Sequence, residues 1–98
     1  MIPILTTLSV MASWYGPGFN GRLTASGERF NSNEPTAAHK TLPFNTRLRV
    51  CYKRCEVVRI TDRGPFVPGR DLDLSKGTAQ RIGMLGAGVA RVKVTRLN

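Results

Sequence analysis

Only six carboxylates stand against fifteen lysines and arginines in this 98-residue chain. Three of them, Glu28, Asp62 and Asp73, sit where turns and short strands would present them to a substrate. Glu28 follows Ser26-Gly27 in a loop, and Asp62 closes the run EVVRIT and precedes Arg63-Gly64-Pro65-Phe66. Asp73 lies between Leu72 and Leu74, which strand alternation puts on the opposite side from it. Carboxyl groups acting together suit cleavage of a glycosidic bond, where one protonates the leaving oxygen and a second stabilises or activates the other side. Each also has a plainer use: Asp62 can pair with Arg59 or Arg63, or accept N–H groups of its own turn, and Glu28 can be a solvated loop residue. His39, the only histidine, could carry a proton or bond a carboxylate, or serve structure alone. Trp14, Tyr15, Phe19 and Phe66 offer stacking faces to sugar rings, though Trp14 and Phe66 could equally fill a small core.

Other chemistries lack their residues. No Ser-His-Asp set with a nucleophile elbow and no Walker-type phosphate loop is present, and GMLGAG over 83–88 fails the dinucleotide pattern. Two cysteines and one histidine are too few for a structural zinc site. Cys51 and Cys55 flank Tyr52-Lys53-Arg54 between two strand-like runs, so they face each other across a tight hairpin. A disulfide closing that loop would contribute about 2 kcal/mol; the alternative is a pair of reduced, half-buried thiols.

The elements that must position these groups are mostly strands. Alternation and β-branched residues predict strands near 9–15, 47–51, 56–61 and 89–95, separated by turn signals such as Gly16-Pro17-Gly18, Asn20-Gly21 and Pro68-Gly69. Ser75 can cap one helix of about two turns that runs through Ile82 and stops at Gly83. Six or so short strands with one small helix in so short a chain suggest a closed β-barrel, which leaves no exposed edges.

The length allows one domain, and the 41% hydrophobic and 21% charged content argues for a folded chain despite a net charge of +9. That charge favours a polyanionic partner such as nucleic acid, an anionic lipid surface or an acidic wall polymer. The cations are scattered without a run of five, and no apolar stretch is long enough to span a bilayer. Residues 1–11 lack a basic n-region and read as a leader remnant or a first strand, with one domain over 12–98.

Four segments now become specific in combination: ASWYGPGFNGRLTASGERF (12–30), TAAHKTLPFNTRLRV (36–50), VVRITDRGPF (57–66) and GRDLDLSKGTAQRIGM (69–84). In that order they make the chain resemble the RlpA (rare lipoprotein A) family over 12–97. The resemblance implies a six-stranded double-psi β-barrel with one short helix, the fold of expansins, family-45 endoglucanases and the transglycosylase MltA. It implies a lytic transglycosylase that cuts peptidoglycan between N-acetylmuramic acid and N-acetylglucosamine on strands stripped of stem peptides, with no metal or organic cofactor. Glu28 falls on the family's Glu of "T-A-x-G-E", Asp62 on its Asp before "R-G-P-F", His39 on its His of "T-A-A-H-x-T-L-P" and Asp73 on the "D-L-S" aspartate. The barrel is expected to gather these four catalytic candidates in one groove, with Tyr15, Phe19, Arg63 and Phe66 binding substrate.

The implied partner is the peptidoglycan glycan strand rather than nucleic acid, and the implied state is a monomer without a transmembrane segment, exported to the periplasm or cell envelope. The compact Cys51–Cys55 hairpin replaces a longer family loop, and its disulfide suits an exported or a virion- or phage-associated protein. The family often adds a lipoprotein signal and a C-terminal SPOR domain; neither is read in these residues, so septal targeting is not carried over. The alternative function is a non-catalytic, expansin-like module that binds or loosens wall polysaccharide.

Overall fold

Strict alternation lets short strands share one small interior. In Ala90–Arg96, Val92 and Val94 are buried while Arg91 and Lys93 are exposed, and in Arg47–Cys51, Leu48 and Val50 are buried between exposed arginines. The computed structural model describes residues 6–98; residues 1–5 of the expected 1–11 segment lie outside the described residues. The elements are β1 (Thr7–Tyr15), β2 (Thr36–His39), β3 (Arg47–Cys51), β4 (Cys55–Asp62), β5 (Leu72–Ser75), α1 (Lys76–Ile82) and β6 (Ala90–Arg96). They close in the order β1-β5-β2-β4-β3-β6, so each strand has two partners and no edge is left to pair with another chain. The β1–β5 and β2–β4 pairs are parallel and the other four antiparallel.

The predicted strand 47–51 is β3, and the other three predicted strands match β1, β4 and β6 with ends shifted by one or two residues. Neither β2 nor β5 was delimited as a strand, although alternation already set Asp73 opposite Leu72 and Leu74. Each has four residues, too few for a pattern, and the β2 sequence TAAH is not β-rich; two flanking strands hold each of them in place.

The interior is filled by Ala12, Ala37, Leu48, Val50, Val58, Ile60, Leu72, Leu74 and Val92, and Ile82 and Met84 close one end. Trp14 packs against this core and its indole Nε1–H donates to Leu85 O at 3.2 Å, whereas Phe66 is 78% exposed and belongs to the surface. The helix has the predicted ends: Ser75 Oγ accepts from Thr78 N, and Gly83 takes the left-handed conformation at φ 88°.

Cys51 and Cys55 form the disulfide across the β3–β4 hairpin. The loop it closes sits under the helix C-terminus. Lys53 N and Arg54 N both donate to Ile82 O, and Arg54 Nε donates to Arg81 O at 2.7 Å, so carbonyls that a helix end leaves free find partners there. Glu56 joins the helix to β4 through Arg81 Nε at 2.6 Å and Thr78 Oγ1 at 2.7 Å.

On its other side the helix touches the loop before β2, where Gly77 N donates to Ser32 O at 2.7 Å. A Cβ at residue 77 would lie 2.7 Å from Ser32 O and 2.9 Å from Asn33 Cα, both backbone atoms. Alanine gains about 1 kcal/mol in helix propensity, but forcing the loop backbone away costs about 1–3 kcal/mol. Gly77→Ala is therefore expected to lower the urea midpoint of unfolding; an unchanged or higher midpoint would show that the loop yields freely.

Candidate active site

The register of four strands builds a row of side chains on the outer surface of the barrel. Ser13 of β1 pairs with Asp73 of β5, Asp73 with Ala38 of β2, and Ala38 with Asp62 of β4. The last pairing rests on an irregularity. Ala37 opposes Ile60, yet Ala38 opposes Asp62, so Thr61 is the extra residue of a bulge. In a regular ladder Thr61 would face Ala38 and the Asp62 side chain would point the other way; the bulge re-aims it. Ala38 presents only a methyl between the two carboxylates, and their backbones are two strand spacings apart, about 10 Å.

Above this row lies a groove of about 330 Å³, lined among others by Tyr15, Phe19, Asp62, Arg63, Phe66 and Asp73. Asp62 Oδ1 accepts from the backbone N–H of Ala25 at 3.0 Å and of Arg63 at 2.9 Å. Ser13 Oγ donates to Asp73 Oδ1 at 3.0 Å. Burial pushes the Asp73 carboxyl above the usual aspartate range and the nearby Asp62 charge adds to this, against the opposing pull of Ser13 and Arg70. Tyr15 stacks on Phe30 with centroids 4.6 Å apart and meets the Phe19 ring edge-on at 5.8 Å. Its hydroxyl is buried with no hydrogen-bond partner among the described residues. Burial, and then the Asp62 and Asp73 charges, push the phenol far up, so it stays a proton donor.

The structure does not gather all four catalytic candidates in this groove. Asp62 and Asp73 line it; Glu28 and His39 do not. Glu28 is held by Arg59, whose Nη1 and Nη2 donate to its two carboxylate oxygens at 2.5 and 2.8 Å, and this pairing keeps its carboxyl below the usual range. His39 Nδ1 accepts from Thr41 N at 3.1 Å and Leu42 N at 3.0 Å, so it caps a turn. Burial lowers its pKa, and the Arg63 charge adds to that. Its side chain borders a different, apolar cavity between Leu8, Val10, Leu42 and Leu48. Arg63 lines the groove, but its guanidinium donates to His39 O and Leu42 O and lies 4.0 Å above the Phe44 ring. Sequence reading did not single out Ser13, Ala38 or Arg70, because only the pairing of distant strands brings them to the row.

Among the described residues no group of three or more His, Cys, Asp or Glu could hold a metal ion. No helix among them is long and apolar enough to cross a membrane.

The family model described as lytic transglycolase matches residues 7–94. A protein of Synechocystis sp. named "Probable endolytic peptidoglycan transglycosylase RlpA" is 60% identical over 84% of this chain and 26% of its own length. The endolytic peptidoglycan transglycosylase RlpA of Campylobacter jejuni is 50% identical over 96% of this chain and 35% of its own. The chain thus spans about a quarter to a third of the length of these relatives. Among solved structures, the Streptomyces papain inhibitor superposes with a TM-score of 0.76 at 19% identity, each chain covered completely. The expansin of Clavibacter michiganensis gives 0.77 at 19% identity over 95% of this chain and 51% of its own. The closed barrel is the six-stranded double-psi β-barrel with one short helix that the family resemblance implies.

Because its folded pKa is raised, Asp73 stabilises the fold only while protonated, and that contribution is lost as pH rises through the raised value. Asp73→Asn keeps an acceptor for Ser13 without the buried charge. It is expected to melt above the parent at pH 7, with the gap closing below about pH 4, where an ordinary aspartate protonates. A pH-independent gap would refute the burial of a charge here.

Proposed function

The chain belongs to the lytic transglycolase family of double-psi β-barrels, and from that premise we propose that it cleaves peptidoglycan glycan strands between N-acetylmuramic acid and N-acetylglucosamine, closing a 1,6-anhydro ring on the muramyl residue. The observation that carries this reading is the row in which Asp73 and Asp62 flank Ala38 on the floor of one groove. The high identity to the transglycosylases named above supports it.

Asp73 is the general acid, because burial favours its protonated form. It gives its proton to the glycosidic oxygen as the bond from that oxygen to muramyl C1 breaks, and the leaving sugar departs with a free hydroxyl. The Asp73 carboxylate then takes the proton of the muramyl C6 hydroxyl, whose oxygen forms the new bond to C1. The proton is returned and no water is consumed. Asp62, oriented by two backbone N–H groups, faces the positive charge that develops at C1. Phe66 and Phe19, 78% and 47% exposed on the groove rim, offer their rings to the apolar faces of flanking sugars. Tyr15, its own hydroxyl buried, holds the Phe19 ring edge-on at the rim.

Glu28 and His39 act through others. The Glu28–Arg59 pair ties the loop over 24–28 to β4, and that loop supplies the Ala25 N–H that orients Asp62. His39 shapes the turn whose carbonyls hold Arg63, next in the chain to Asp62. In this reading the protein acts as an exported monomer in the cell envelope, on strands stripped of stem peptides, with no cofactor.

Digestion of intact and amidase-stripped sacculi, followed by mass spectrometry of the soluble products, tests the reaction. Anhydro-ended fragments are expected from stripped material, and Asp73→Asn and Asp62→Asn should each lower their release by roughly 100-fold or more. Reducing ends would mean hydrolysis instead. Sedimentation with sacculi but no released fragments would leave an expansin-like binding module.

A charge swap separates positioning from chemistry at Glu28. Glu28→Arg should lose activity, and adding Arg59→Glu should restore most of it by rebuilding the ion pair in reverse. A double variant as inactive as Glu28→Arg would make Glu28 a participant in the reaction itself.

A further inference from the structure

In the closed order of strands, the β3–β6 pair lies across the barrel from the β5–β2 pair that carries Asp73 and Ala38. Its outward residues are Arg47, Arg49 and Cys51 on β3 and Arg91, Lys93 and Thr95 on β6; the alternates between them are buried. The antiparallel register sets Lys93 against Cys51 and Thr95 against Arg49. Along the seam, Arg91, Lys93, Arg49 and Arg47 therefore follow one another, each a two-residue step further on. A step is about 6.8 Å, so the four cations form a file about 20 Å long.

No carboxylate neutralises this file. The ion pairs formed among the described residues are Arg59–Glu28 and Arg81–Glu56, and residues 1–5 contain no Asp or Glu. On the flanking strands the same outer face shows Thr7, Ser9 and Met11 of β1 and Cys55, Val57 and Arg59 of β4, which add no negative charge. Glu34 borders only the Arg47 end, across a small cleft.

We propose that the β3–β6 wall is a docking surface for a linear polyol-phosphate polymer, bound independently of the cleavage groove. A single file of cations matches a chain that repeats one negative charge at short, regular intervals, and three of the four are arginines, whose planar fork suits phosphate oxygens. The outward faces of β3 and β6 carry no aromatic ring on which a base could stack, which disfavours single-stranded nucleic acid. The wall is a convex strip two strands wide, so a planar bilayer would meet it along a line. Docking there leaves the groove facing away from the polymer.

Binding of a defined-length poly(glycerol phosphate), measured against salt concentration, tests this. Four contacts at about 0.7 each predict a log–log slope of about −3 for the parent protein. Arg49→Gln with Lys93→Gln should reduce it to about −1.4, while Arg22→Gln with Lys40→Gln, an equal loss of charge elsewhere, should leave it unchanged. Thermal melts establish that both pairs of substitutions leave the fold intact. Equal effects of the two pairs would show attraction by net charge alone and overturn the proposal. So would tighter binding of an oligothymidylate of equal charge, or capture by phosphatidylglycerol vesicles without binding of the polymer. The polymer contains no glycosidic bond of the proposed type, so the result does not depend on whether the groove cuts glycan.

Discussion

The bulge at Thr61 is the constraint on which the active surface depends. It is a one-residue shift between β2 and β4, and it decides that Asp62 rather than Thr61 stands beside Ala38. Without it the carboxylate would point into a barrel filled by Ile60, Val58 and Leu74, where an unpaired charge costs several kcal/mol. With it, the threonine is buried at 2% exposure and the aspartate reaches the groove. The bulge also frees the Thr61 carbonyl, which accepts from Ser26 N at 3.1 Å while Asp62 accepts from Ala25 N. The loop over 24–28 is thus docked by two bonds that exist only in this register. The Glu28–Arg59 pair is a third tie on the same loop.

The other carboxylate is fixed from the far end of β5. Asp73 is two residues before Ser75, which both caps the helix and donates to Glu34 O at 2.7 Å. The helix is in turn held at its C-terminus by the disulfide-closed hairpin and along its side by Glu56. A chain too short for a large core gains rigidity this way: polar bonds at the helix ends anchor the strand that carries Asp73.

How far these features can be read from the sequence follows the distance over which each is determined. The helix with both ends, the β3–β4 hairpin and its disulfide were legible because Ser75, Gly83, Cys51 and Cys55 act within a few residues of themselves. Asp73 was legible as an outward residue because Leu72 and Leu74 flank it. The bulge was not, since it depends on β2, whose four residues show no strand pattern and whose register is set by two partners. The pairing of Glu28 was not legible for the same reason: its partner Arg59 is 31 residues away. His39 had a local signal in the following Thr41-Leu42-Pro43 turn, where a ring nitrogen can serve two backbone N–H groups, but the same residues fit a proton carrier equally well.

The strong positive charge poses a problem that the barrel resolves by position. In its proposed role of general acid Asp73 must hold its proton, while surrounding cations favour the carboxylate and lower its pKa. For Asp73 the pull of Arg70 is opposed first by burial and then by the Asp62 charge, and burial is the larger effect. The remaining cations matter less the further away they stand. The molecule is 25 Å across its shortest extent, and because Coulomb interaction falls with distance a cation on the far wall acts on Asp73 much less than Arg70 does. Placing Arg91, Lys93, Arg49 and Arg47 on the β3–β6 wall weakens their field at Asp73 while leaving them free for anions. A cation added at the rim near Ser13 would join Arg70 in lowering the Asp73 pKa directly, so burial can offset only a limited local positive charge.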